Sequence, residues 1–170
     1  MRKKDSRIYN LTITGIFAAL ITIFTAYIGH IPVGANGGYV HFGDGLIYLA
    51  ATILPLPFAM AAGAIGGGVS DLLTAPAWTF ATIIIKALLV LPFTNKGATI
   101  LNRRNYIAPV IAYFISHTGY FLAEAIMFGW KTAILSGLAG GLVQSGGSMI
   151  FFFLLGQTLD RIHFKAKVEA

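Results

Sequence analysis

Between residues 106 and 128 the sequence is largely apolar, but His117, Tyr120 and Glu124 interrupt it, and together with Phe121 they fall at i, i+3, i+4 and i+7. On a helix those four positions share one face. An imidazole, a phenol and a carboxylate so arranged could pass protons as acid and base. They could equally hold the ring nitrogens or amino groups of a ligand by hydrogen bonds. Binding suits them better, because His117 and Glu124 lie two helical turns apart and no serine nucleophile has a positioned base. Other polar side chains stand out against apolar surroundings: Lys86, Asp44, Asp71, Gln144 with Ser145 and Ser148, and Asn36, Tyr39 and His41 in a glycine-rich linker.

Ionisable groups within hydrocarbon are costly, and they mark either a functional site or a structural charge pair. Glu124 fits a ligand contact about 6 Å below the rim of a helix, or a pair with Lys86 or Lys131, and both hold if the pair frames the pocket. Asp71 is a second candidate partner for Lys86. Asp44 directly precedes an apolar run, the ordinary place for a helix N-cap. His41 and Tyr39 are placed for a lid over a ligand mouth. Trp78 and Trp130 fit an interfacial belt or stacking on a flat heteroaromatic ring. Gln144 lines the pocket or bonds another helix. The candidate substrate-binding set is therefore Asn36, Tyr39, His41, Trp78, Lys86, His117, Tyr120, Glu124 and Gln144. No catalytic residues, metal ligands or cofactor are expected: a zinc site would need several ligands at set spacing, and no GxxxxGK[ST] phosphate loop is present. Energy from ATP would have to come from another chain.

The elements that must position these groups are membrane helices. Of 170 residues 56% are apolar and 11% charged, and the mean hydropathy is +0.77. A soluble domain carries about 25% charged residues, so an ordinary water-soluble globule is excluded. With no cysteine there is no disulfide, thiolate metal site or Cys nucleophile. Apolar runs at 8–29, 45–54, 58–73, 77–93, 106–128 and 132–159 predict six helices, the second and third split by Pro55-Leu56-Pro57, since proline cannot donate into a helix interior. The first run exceeds the 7 to 15 residues typical of a signal-peptide core, so it reads as an uncleaved span. The expected class is an all-α polytopic membrane protein, one domain over residues 1–170.

Basic residues orient it. Arg2, Lys3, Lys4 and Arg7, then Lys96, Arg103 and Arg104, then Arg161, Lys165 and Lys167 fall on one side of a six-span chain, which places both termini in the cytoplasm. The net charge of +6 reads as topology and contact with the lipid bilayer's anionic headgroups, with no nucleic acid partner. Lys86 is an exception, about 15 Å along the fourth helix. Small residues let membrane helices approach closely. Gly63 with Gly67 and Gly137 with Gly141 predict packing within the bundle, whereas Gly15, Ala18 and Ala19 on the first helix are read either as packing or as contact with a partner membrane protein.

The stretch Asn36-Gly37-Gly38-Tyr39-Val40-His41-Phe42-Gly43-Asp44, the glycine-rich Gly63-Ala64-Ile65-Gly66-Gly67-Gly68-Val69-Ser70-Asp71-Leu72-Leu73, and the run from Ala77-Trp78 to Ile85-Lys86-Ala87-Leu88 resemble the substrate-binding S components of energy-coupling factor (ECF) vitamin transporters. The similarity extends over nearly the whole chain and is nearest the riboflavin and hydroxymethylpyrimidine branch. It implies a multi-pass protein of the bacterial plasma membrane that captures a small vitamin or precursor from outside. It also implies docking, through Gly15, Ala18 and Ala19, onto a membrane coupling subunit that carries two cytoplasmic ATPase subunits. One acid, one histidine and flanking aromatics favour hydroxymethylpyrimidine or a pyridoxine-like ring, with riboflavin or pantothenate as alternatives. A membrane enzyme using His117 and Glu124, and a stand-alone channel or carrier, are the competing classes.

Overall fold

The computed structural model describes residues 7–28, 31–32 and 39–169, with side chains at all of these but 32, 39–40, 136–142 and 168–169. Asn36, the side chain of Tyr39, and Gly137 and Gly141 of the small-residue stripe therefore lie outside the described residues or side chains. The chain is built from helices: α1 (Arg7–Ala26), α2 (Gly43–Ile53), α3 (Leu56–Thr74), α4 (Thr79–Leu88), α5 (Arg103–Phe128), α6 (Trp130–Arg161) and a short α7 (Phe164–Glu169). A minimal antiparallel ribbon, β1 (Ile31–Pro32) and β2 (Tyr39–Val40), sits between α1 and α2, with Ile31 opposite Val40. Among the described residues α1, α3 and α5 are long and apolar enough to cross a bilayer, while residues 43–53 and 76–88 form shorter apolar helical stretches.

Surface and interior are inverted relative to a soluble protein. Phe80, Ile126 and Leu135 are more than three-quarters exposed, whereas Asp44, Asp71, Lys86, Asn105 and Ser148 are buried. Apolar atoms face outward because lipid tails make that free of cost, and polar groups turn inward because each needs a partner there. The protein is thus a multi-pass membrane protein. Its aromatic core centres on Tyr48, whose ring stacks on Phe93 at 4.9 Å and meets Phe152 edge-on at 5.9 Å.

Glycines on α3 set the packing. A Cβ at Gly63 would lie 2.7 Å from the Lys86 carbonyl oxygen, and one at Gly67 would lie 2.7 Å from Lys86 Cγ. The α4 backbone therefore rests directly on this face, as small-residue spacing in a membrane helix predicts. Gly66 does the same for α1, where a Cβ would lie 2.8 Å from the Ala18 carbonyl oxygen, and Thr22 Oγ1 donates to the Gly66 carbonyl at 3.0 Å. The first-helix set is therefore divided. Ala18 is buried toward α3, a correction to its expected place on a docking face, while Gly15 and Ala19 are exposed and nothing lies within 4 Å of a Cβ at Gly15.

The fourth helix is shorter than the run at 77–93 predicts. It opens with a 3-10 turn, Pro76–Trp78, and ends at Leu88, because the residue before Pro92 is disfavoured in helical conformation. Arg104 takes the carbonyls this leaves, donating from Nε to Pro92 O at 2.7 Å and from Nη2 to Leu91 O at 3.1 Å. The link to α5 is held by side chains: Asn105 donates to the carbonyls of Thr94 and Ile100, and the Asp160 carboxylate accepts the backbone N–H of Ile100 at 2.7 Å and of Leu101 at 2.9 Å.

Candidate functional site

The polar residues that the fold brings together come from five elements near the ribbon end of the bundle. Lys86, near the end of α4, runs its stem along Gly67 of α3. Its Nζ donates to Asp44 Oδ1 on α2 at 2.6 Å, with both side chains at least 97% buried. The same ammonium lies 5.3 Å from the centroid of the Tyr120 ring on α5, close enough for cation–π attraction. The Thr82 hydroxyl, one turn before Lys86, donates to Asp71 Oδ2 and is 2.9 Å from the Tyr120 hydroxyl. Since that proton goes to Asp71, Tyr120 donates to Thr82. Two carboxylates, an ammonium and two hydroxyls thus form one buried network across α2, α3, α4 and α5.

From α6, Gln144 closes the network. Its Oε1 accepts the His41 backbone N–H at 2.6 Å, and its Nε2 donates toward Asp44 Oδ2 at 3.4 Å and lies 3.2 Å from His41 Nε2. Ser148 Oγ donates to the His41 carbonyl at 3.3 Å. The segment that joins the ribbon to α2 is therefore tied to α6, and of the two alternatives for Gln144 the bond to another element is the one present.

Several sequence expectations change here. Asp44 is not the N-cap of its helix: Phe42 occupies that position without a side-chain cap bond, and Asp44 lies inside the first turn. The capping falls to His41, whose Nδ1 accepts the Gly43 N–H at 3.0 Å. His41 is only 5% exposed, so it is a buried latch rather than a surface lid. Lys86, considered with Asp71 and Glu124, bridges to Asp44. On the helix-five face the His117 ring stacks on Tyr113, one turn back on the same helix, at 5.5 Å, and Phe121 meets Trp130 of α6 at 5.8 Å. From this face Tyr120 joins the network through Thr82. Glu124, one turn beyond it, is buried.

The two tryptophans separate as well. Trp78 is buried and packs against Tyr120 at 5.9 Å and Phe128 at 5.8 Å, whereas Trp130 is 61% exposed, which fits the interfacial belt. Thr82 was not legible from the sequence as a site residue. Its signal was the spacing Thr79, Thr82, Lys86, at i, i+3 and i+7 on α4.

The chemistry available is recognition. Among the described residues no group of three His, Asp or Glu could hold a metal, and the hydroxyls and carboxylates are engaged in hydrogen bonds rather than poised as nucleophile and base. An assembly of fixed donors, acceptors and aromatic rings, enclosed by apolar helices, is what a small-molecule binding site requires.

The family described as "ECF-type riboflavin transporter, S component" matches residues 5–161. The chain belongs to that family, a family of vitamin-binding transport subunits and not of enzymes. It is also 27% identical over 143 residues to a protein of Pyrococcus woesei described as "uncharacterized protein in gap 3' region", which covers 83% of this chain and 95% of that protein.

Proposed function

We propose that this single-domain protein crosses the plasma membrane of a bacterium six times, with both termini in the cytoplasm, and captures a flat heteroaromatic vitamin at its outer end for uptake. The observation that carries this reading is the buried network of Asp44, Lys86, Asp71, Thr82, Tyr120 and Gln144. Polar groups so costly to hold among membrane helices are explained by a ligand that needs both donors and acceptors. Trp78, buried against Tyr120, offers a ring face beside them. Ligand release inward is driven by partners, a membrane coupling subunit with two cytoplasmic ATPase subunits. The exposed stripe of Gly15 and Ala19 supports α1 as the docking helix.

The family's description favours riboflavin as the ligand. The smaller ring of hydroxymethylpyrimidine or pyridoxine is the second reading, favoured by the small number of polar groups in the network. Purified protein titrated with riboflavin, hydroxymethylpyrimidine and pyridoxine, with tryptophan fluorescence as the readout, separates them: Trp78 is quenched by the ring that binds. Riboflavin is expected to saturate without being converted. Absence of saturable binding by all three, or turnover of any, would overturn the reading.

A further inference from the structure

Threonines inside helices commonly satisfy their hydroxyl by donating to the carbonyl four residues earlier. In this protein Thr12, Thr14, Thr22, Thr74, Thr132 and Thr158 all do so, at 2.7 to 3.0 Å. Thr79 does not. Its Oγ1 is buried and has no hydrogen-bond partner among the described residues, and the residue is only 9% exposed. The local backbone gives the reason. Residues Pro76–Trp78 form a 3-10 turn, the Thr79 N–H donates to the Pro76 carbonyl, and the Ala75 carbonyl, which lies four back from Thr79, accepts the Trp78 N–H at 2.9 Å. The non-helical Ala75 (φ −148°, ψ 65°) and the tighter winding that follows it take this carbonyl out of the place beneath Thr79 that an α-helix would give it.

The position of this unmatched hydroxyl is informative. Thr79, Thr82 and Lys86 recur at i, i+3 and i+7, so they form a polar ladder along one face of α4. Two rungs are engaged: Lys86 with Asp44, and Thr82 with Asp71 and Tyr120. The third is vacant, and it immediately follows Trp78, whose ring packs against Tyr120. A buried hydroxyl without a partner carries a desolvation cost that folds rarely retain without cause. We infer that Thr79 is a ligand contact, its hydroxyl bonding the polar edge, a ring carbonyl or ring nitrogen, of the flat heterocycle held beside Trp78 and Tyr120. This rests on the reading of the network as the vitamin site, and it adds the residue that reads the ring's edge.

The test compares wild type, Thr79→Val and Thr79→Ser in riboflavin titrations and in thermal unfolding without ligand. Valine keeps the shape and removes only the hydroxyl. Thr79→Val is expected to bind riboflavin about tenfold more weakly, the size of one lost hydrogen bond, while its ligand-free melting temperature is unchanged or raised, because an unpaired buried polar group has been removed. Thr79→Ser is expected to bind within about twofold of wild type on the same grounds. Wild-type affinity in Thr79→Val, or a lowered ligand-free melting temperature, would overturn the assignment while leaving the site reading intact. Wild-type protein that binds none of riboflavin, hydroxymethylpyrimidine and pyridoxine would bring down the site reading, and this assignment with it.

Discussion

Replacing Lys86 by methionine is the sharpest test of the network, because it removes the charge and keeps most of the stem that lies against Gly67. The 2.6 Å contact to Asp44 joins side chains only 3% and 1% exposed, so Lys86→Met leaves a buried carboxylate whose remaining neighbours include the Gln144 amide at 3.4 Å. Breaking a buried pair from one side costs about 3–5 kcal/mol. Much of that is the penalty of the stranded charge rather than the worth of the pair. Asp44→Asn should strand the ammonium at a comparable cost. The double variant strands neither, and it should be less damaging than the sum of the two by about 2–3 kcal/mol. Unfolding titrations of the four proteins in detergent, closed as a double-mutant cycle, measure this coupling. Strict additivity, within about 0.5 kcal/mol, would refute the claim that the two charges compensate each other in the interior.

Other perturbations probe packing, docking and the far side of the site. Gly67→Ala places a methyl 2.7 Å from Lys86 Cγ; because α4 lies against this face, destabilisation by about 1–3 kcal/mol is expected, read as a loss of monodisperse protein on gel filtration after mild heating. Gly15→Leu meets nothing within 4 Å, so ligand binding and melting temperature should match wild type while uptake in cells carrying the coupling and ATPase subunits is lost; normal uptake would reject α1 as the docking helix. For Glu124→Gln, which removes a buried charge one turn beyond Tyr120, vitamin affinity is expected to fall about tenfold, the scale of one charged hydrogen bond, with the fold intact, and calorimetric titration reads the difference.

The sequence alone determined the helical architecture to within a few residues, because membrane helices carry two strong local signals. One is apolar run length, which predicts 106–128 against an observed Arg103–Phe128. The other is proline, which splits the hairpin at Pro55; the end of α4 at Leu88, short of the predicted 93, was not read from Pro92. The bundle-packing role of Gly63 and Gly67 was also legible, since close helix approach demands small residues at that spacing. The partners of the ionisable residues were not. Asp44 looked like a cap because local position is all a sequence displays, yet its partner Lys86 is 42 residues away. Likewise, the 117–124 face looked like one cluster because periodicity places side chains on a side of a helix without naming what stands opposite. His117 stacks on Tyr113 of its own helix, while the neighbouring α6 and α4 take Phe121 to Trp130 and Tyr120 to Thr82. Composition and periodicity dictate which groups must leave lipid. Only the packing of α2, α3, α4, α5 and α6 decides which of them meet, because pairing energy depends on ångström distances between residues that the chain keeps far apart.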